Sequence, residues 1–172
     1  MHRRLLATTV VLALMFVLAL ATVVQAAPPR NFTAPLSGGQ EVPPADTNAT
    51  GVAQFKLDKD GTELRYRLNV ANIENVTQAH IHLGARGVNG PVVAWLYPEG
   101  PPPQLIPGRT NGTLATGTIT ADDLVGQLES ESLDALLDEI RAGNAYVNVH
   151  TSQFPGGEIR GQIDVPRGHV DG

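Results

Sequence analysis

The sequence predicts an all-β fold, a Greek-key β-sandwich with one short crossover helix, and three observations carry that expectation. In Leu64-Arg65-Tyr66-Arg67-Leu68-Asn69-Val70 every second residue is apolar, the period of a strand with one face on a core. Similar runs recur between Gly, Pro, Asn and Asp, and 18 Gly with 13 Pro are more than a helical bundle tolerates. Residues 132–142 alone switch to helical spacing.

The chain opens on an expected export signal covering residues 1–26. Residues 1–4 are basic, residues 5–24 are almost wholly apolar, and Val24-Gln25-Ala26 supplies the small residues a signal peptidase reads. Cleavage is expected after Ala26 or Ala27. The apolar run is also long enough to cross a bilayer, so an uncleaved anchor is the competing reading, and membrane contact is expected only in that case. Both readings place the domain outside the cytoplasm, whether secreted, periplasmic or at the cell surface. Residues 27–31 then form a linker, 32–165 one domain and 166–172 a polar tail, a length that buries one sizeable core.

Within the domain, residues 52–57 alternate and Asp58-Lys59-Asp60-Gly61 is turn chemistry, which predicts a hairpin into residues 64–70. Further strands are expected at 76–83, 92–97, 112–120, 145–151 and 158–165, with the proline-rich residues 98–110 as a loop. Leu133, Leu136, Leu137 and Ile140 share one helical face; Ser132 is placed to cap that helix and Gly143 to end it. Residues 120–124 add a helical turn before it. The helix is expected to cross one end of the sandwich. Many short strands with one such crossover fit an immunoglobulin-like or superoxide-dismutase-like shape.

Composition narrows the functional classes. Cysteine is absent, so stability must come from packing or from a metal held without thiols. The formal charge of −5 comes from 12 Lys+Arg against 17 Asp+Glu, and Arg3 and Arg4 lie in the export segment. The mature domain is therefore more acidic and lacks a basic cluster, which argues against nucleic acid and anionic lipid as its main partners. No carboxylate pair is spaced for glycoside chemistry, residues 58–63 open like a calcium loop without its remaining ligands, and no Gly-x-Ser-x-Gly elbow occurs. Trp95 and Tyr97 share a strand face with Val93 and read as core packing. Asn31, Asn48, Asn75 and Asn111 each open an N-x-Thr sequon, a candidate glycan acceptor.

The histidines carry the sharper signal. His80 and His82 alternate with Ala79, Ile81 and Leu83, so the imidazoles share the outer face of their strand while the apolar residues face the core. The same parity puts Val147 and Val149 inward and Tyr146, Asn148 and His150 outward. If the two strands are neighbours, His80, His82 and His150 converge as three neutral imidazole ligands suited to Cu or Zn. The competing reading gives them a structural role, hydrogen bonding that holds the turn at residues 84–90.

Three stretches carry a family resemblance. They are Leu36-Ser37-Gly38-Gly39-Gln40-Glu41-Val42-Pro43-Pro44; Ala79-His80-Ile81-His82-Leu83-Gly84 through Asn89-Gly90-Pro91-Val92-Val93; and Gly143-Asn144-Ala145-Tyr146-Val147-Asn148-Val149-His150-Thr151 through Phe154-Pro155-Gly156-Gly157-Glu158-Ile159-Arg160-Gly161-Gln162-Ile163. Together they resemble the CHRD domain, named for chordin, from about Phe32 to Val165. The resemblance implies a secreted β-sandwich module without implying an activity. A weaker likeness is to the Cu,Zn superoxide dismutases, whose copper ligands include a His-x-His strand and a later strand histidine; here Ile81 and Val149 echo that context. The bridging histidine, zinc loop and disulfide of that family have no counterpart. The leading expectation is a non-catalytic binding or structural module for an extracellular ligand or surface component. The alternative is an extracellular metal-binding protein, an oxidoreductase in its furthest form.

Overall fold

A computed structural model of the chain describes residues 27–166. The expected signal at 1–26 and all but Pro166 of the expected tail lie outside the described residues. Seven strands run β1 (Asn31–Ser37), β2 (Thr50–Leu57), β3 (Leu64–Leu83), β4 (Val92–Tyr97), β5 (Ile106–Ile119), β6 (Ala145–Thr151) and β7 (Ile159–Gln162), with α1 (Leu133–Arg141) between β5 and β6. The all-β class and the short helix are as the sequence predicts.

All seven strands belong to one antiparallel sheet in the order β2-β1-β7-β6-β3-β4, with β5 on β3 and a further β2–β3 pairing. That last pairing closes the sheet on itself in a barrel-like arrangement. The β2–β3 hairpin forms where Asp58 accepts bonds from the backbone N–H groups of Thr62 and Glu63, so the segment that opens like a calcium loop is a turn.

The sequence suggests separate strands at 64–70 and 76–83, but β3 is continuous over 20 residues. Asn72 and Asn75 adopt positive φ of 56° and 54°, and the register with β5 shifts between Val70 and Ile73 and again between Glu74 and Val76. Asn tolerates this left-handed backbone, so the residues that resemble a turn instead form bulges that bend the strand without ending its pairing. Strand β3 pairs with β2 over residues 64–71 and with β5 from Leu64 to Val76, and its end from Val76 onward pairs with β6 and β4. Strand β5 likewise starts at Ile106, inside the expected loop, because Ile106 pairs with Val76 beyond the second bulge.

The core follows the predicted parity. Leu64, Leu68, Val70, Ala53, Phe55, Phe32 and Leu36 belong to one buried apolar cluster with Ala79, Ile81, Val147 and Val149. Leu133, Leu136, Leu137 and Ile140 of α1 are all buried on it. Ser132 stands at the N-cap without a side-chain bond, and Gly143 at φ 76° follows the helix end. A 3-10 turn at Ala121–Asp123 precedes it, held by a Thr120–Asp123 capping box. Among the described residues no helix is long and apolar enough to cross a membrane.

Candidate metal centre

Strands β3 and β6 are neighbours, with His80 opposite Asn148 and His82 opposite Tyr146. His150 lies opposite Gln78, one diagonal step from His80. The three histidines converge: one ring nitrogen from each lies within 4.8 Å of the others. His80 Nδ1 is 3.3 Å from His150 Nε2.

The tautomers follow from the partners, because a carbonyl can only accept. His82 Nδ1 donates to Gly90 O at 2.8 Å and His150 Nδ1 donates to Pro155 O at 2.9 Å. Both rings therefore carry a lone pair on Nε2, the arrangement in which a second nitrogen orients a metal ligand, and the His150 Nε2 lone pair accepts from His80 Nδ1. Among the described residues the buried His80 Nε2 and His82 Nε2 have no hydrogen-bond partner.

The face is not the solvent-exposed one that strand alternation suggests. His80, His82 and His150 point away from the apolar core, yet they are only 3%, 8% and 7% exposed. Every residue of β6 is buried. A second, polar layer covers this side, built from the loop after β3 and from the segment after β1. Trp95 joins it: the ring meets His80 edge-on at 4.3 Å, so Trp95 lines the histidine site and is not core packing. Tyr146 stacks on His82 with centroids 4.9 Å apart.

Arg160 holds this layer down. Its side chain is 1% exposed and lies 3.4 Å from the Tyr146 ring centroid. It donates to Asn89 Oδ1, Ala85 O and Val88 O at 3.0, 3.2 and 2.8 Å. The loop so tied supplies Gly90 O to His82, and its own N–H donates to the Tyr146 hydroxyl. Only glycine fits at position 90, since a Cβ there would stand 1.5 Å from Leu83 O. Gln162 donates to Gly84 O and Gly143 O and closes the far end.

Burial sets the electrostatics. It pushes His80 down to about 3, with the neighbouring His150 and His82 adding to the effect. His82 and His150 are also pushed down, burial again being the largest cause, and their carbonyl bonds oppose it. All three rings are thus held neutral, which is the ligating form.

Strand patterning reveals neither the site residue Arg160 nor the burial of Glu41, which follows the 3-10 turn Gly38–Gln40 and is 6% exposed. Burial pushes the Glu41 carboxyl up to about 7 against the pull of Arg160. A charged residue that alternates with Ile159 and Gly161 reads as solvent-facing, and its burial depends on loops brought from elsewhere. The four sequons do not gather at the site. Asn31, Asn48 and Asn111 are exposed, whereas Asn75 is half-buried in its bulge. The Asn75 and Asn111 side-chain oxygens accept bonds from Gly108 N and Asn72 N.

A closed antiparallel sheet with a polar, histidine-bearing layer outside its core defines a β-module whose distinguishing residues fall in three separated segments. Those segments lie within a match to the CHRD domain family over residues 32–163. The chain belongs to that family. No curated protein and no solved structure matches it.

Proposed function

We propose that this CHRD module works outside the cytoplasm and binds a transition-metal ion, Cu or Zn, through His80, His82 and His150. The convergence of three neutral imidazoles carries the reading. Two nitrogens on a tetrahedral ion at about 2.05 Å stand ~3.3 Å apart, and His80 Nδ1 and His150 Nε2 are 3.3 Å apart. A proton bridges that gap in the metal-free protein. Binding an ion there needs His80 to carry its proton on Nε2, where it meets no acceptor among the described residues, a cost that the ion's bonds to the rings must outweigh. The covering layer leaves the rings little solvent access, which favours holding an ion over turning over a substrate.

The test is thermal unfolding of the full mature domain with chelator and with Zn(II) or Cu(II). An ion bound only by the folded state stabilises it by about 2.7 kcal/mol at a hundredfold excess over Kd. The wild-type melting temperature should rise with the logarithm of free ion, and the variant carrying His80→Ala, His82→Ala and His150→Ala should lose the response. Identical wild-type melting under both conditions would overturn the reading.

CHRD domains occur in extracellular proteins, and the basic start, apolar run and small residues of 1–26 support export. Protein recovered from outside the cell should begin at Ala27 or Pro28 by intact mass. Recovery of Met1-containing protein in membranes would make the segment an anchor.

A further inference from the structure

The basic cluster that the linear sequence lacks is assembled by the fold. Both lysines of the chain, Lys56 and Lys59, gather with Arg30, Arg65 and Arg67 where the β2–β3 hairpin meets the start of β1. The register puts most of them on one outward face. Asn31, Lys56, Arg65 and Thr118 lie abreast on β1, β2, β3 and β5, and Thr33, Gln54, Arg67 and Thr116 form the next rung. Neither rung carries an acid. The acids nearby, Asp58, Asp60 and Glu63, stand in and beside the turn, where Asp58 accepts backbone N–H groups and Glu63 reaches Arg65 at 3.0 Å.

Cations elsewhere are compensated. Arg86, Arg109 and Arg141 pair with Asp164, Glu74 and Asp138, and Arg160 is buried against carbonyls. Lys56, by contrast, stands directly across the ladder from Arg65, both exposed, a like-charge placement that destabilises a sheet. Half-buried Arg30 has its Nη2 enclosed without a hydrogen-bond partner among the described residues. Two hollows of about 370 and 610 Å³ share Asn31, Lys56 and Arg65, so they adjoin along the face; Arg67 lines the first, Arg30 and Lys59 the second. A face that holds repelling cations together at a cost in stability fits an extended anion bound by all of them.

We propose that this face binds a linear acidic polysaccharide, whose carboxylate or sulfate groups pair with Lys56, Arg65 and Arg67 and, at one end, with Arg30 and Lys59. Clustered Lys and Arg are the electrostatic footprint of such polymers, and the arginine forks take oxyanions two bonds at a time. The net charge of −5 opposes a polyanion over the molecule as a whole, so binding depends on this patch. The residues between the cations favour a sugar chain over other polyanions. Exposed Asn31, Gln54, Thr116 and Thr118 offer amides and hydroxyls to sugar hydroxyls. Phe32, Phe55 and Tyr66 of the same strands are buried, which leaves no platform for stacked bases and no aromatic belt for a bilayer.

Labelled fragments of heparin and of polygalacturonate, titrated with the mature domain, test this and separate sulfate from carboxylate recognition. The protein is made without N-glycans, because Asn31 lies on the face. At least one polymer should bind at low salt and weaken as sodium chloride rises, while neutral dextran should not bind. Lys56→Gln combined with Arg65→Gln should weaken binding about tenfold or more, the loss of at least one charge-assisted hydrogen bond. Arg109→Gln, which removes a charge paired with Glu74 away from the face, should leave affinity unchanged. Lys56→Glu should also weaken binding yet melt no lower than the wild type, since it turns a repulsion across from Arg65 into an attraction. Equal weakening by Arg109→Gln, or wild-type affinity in Lys56→Glu, would overturn the assignment. So would failure to bind either polymer, or tighter binding to phosphatidylglycerol vesicles or a thymidine oligonucleotide than to both. Each of these outcomes leaves the histidine centre untouched.

Discussion

Leu68→Asp or Val147→Asp should abolish folding. Both side chains are 0% exposed and lie on the core side of central strands. An unpaired carboxylate there must be neutralised or left without water, at a cost of several kcal/mol that approaches the ~5–15 kcal/mol total stability of an ordinary domain. Val52, on the opposite face of β2 and 39% exposed, is the control, and Val52→Asp should change stability by no more than about 0.5 kcal/mol. Circular dichroism during denaturant unfolding separates the outcomes. Cooperative unfolding at the wild-type midpoint for Leu68→Asp or Val147→Asp would mean that the inward and outward faces are exchanged.

Acid should unfold the metal-free domain through its histidines. A ring held near 3 in the folded state, as His80 is, binds its proton first in the unfolded chain, where the value is about 6.5. The unfolded state then carries more protons throughout that window. Stability is complete above pH 6.5 and falls as pH drops toward 3, by about 1.4 kcal/mol per pH unit for each ring held neutral. His82 and His150 act in the same direction. Glu41, raised to about 7, acts in the opposite one: from 4.5 to 7 the folded state holds the extra proton, so this group alone lowers stability as pH rises. It offsets one imidazole above pH 4.5 and none below. Denaturant midpoints in chelator should therefore decline from pH 6.5 to 4.5 and more steeply just under 4.5, and Glu41→Gln should steepen the upper part. A midpoint unchanged between pH 7 and 4 would show that the rings are not held neutral.

How much of this was legible in the sequence depends on how local each signal is. The face of α1 and the alternation in β2, β3 and β6 come from neighbours two to four residues apart, and the structure follows them. Asn72 and Asn75 carry an ambiguous signal, because the left-handed backbone that suits a turn also suits a bulge, and only the partner strands decide between them. Alternation also separates the histidines from the core correctly, but it cannot say what lies outside. Burial of His80, His82 and His150 depends on residues 84–90 and 38–45, which are distant in sequence. Trp95 misleads for the same reason, since β4 packs against the histidine side as well as the core. Arg160 and Glu41 carry no pattern that marks a charged strand or loop residue as buried.

The closure of the sheet also dictates an order of events in folding. Strand β1, near the start of the domain, completes its pairing only against β7 and Asp164, through Ser37 with Arg160 and Thr33 with Asp164. These contacts join positions more than 120 residues apart, and the chain-entropy cost of such a loop must be met before the contacts stabilise anything. A chain still emerging from a ribosome or a membrane channel can form the β2–β3 hairpin, but it cannot seal the ring or assemble the polar layer that Arg160 anchors. The ring thus stays open until its last strand is available, so the polar layer and the histidines it buries are assembled only when residues 159–164 have joined the sheet.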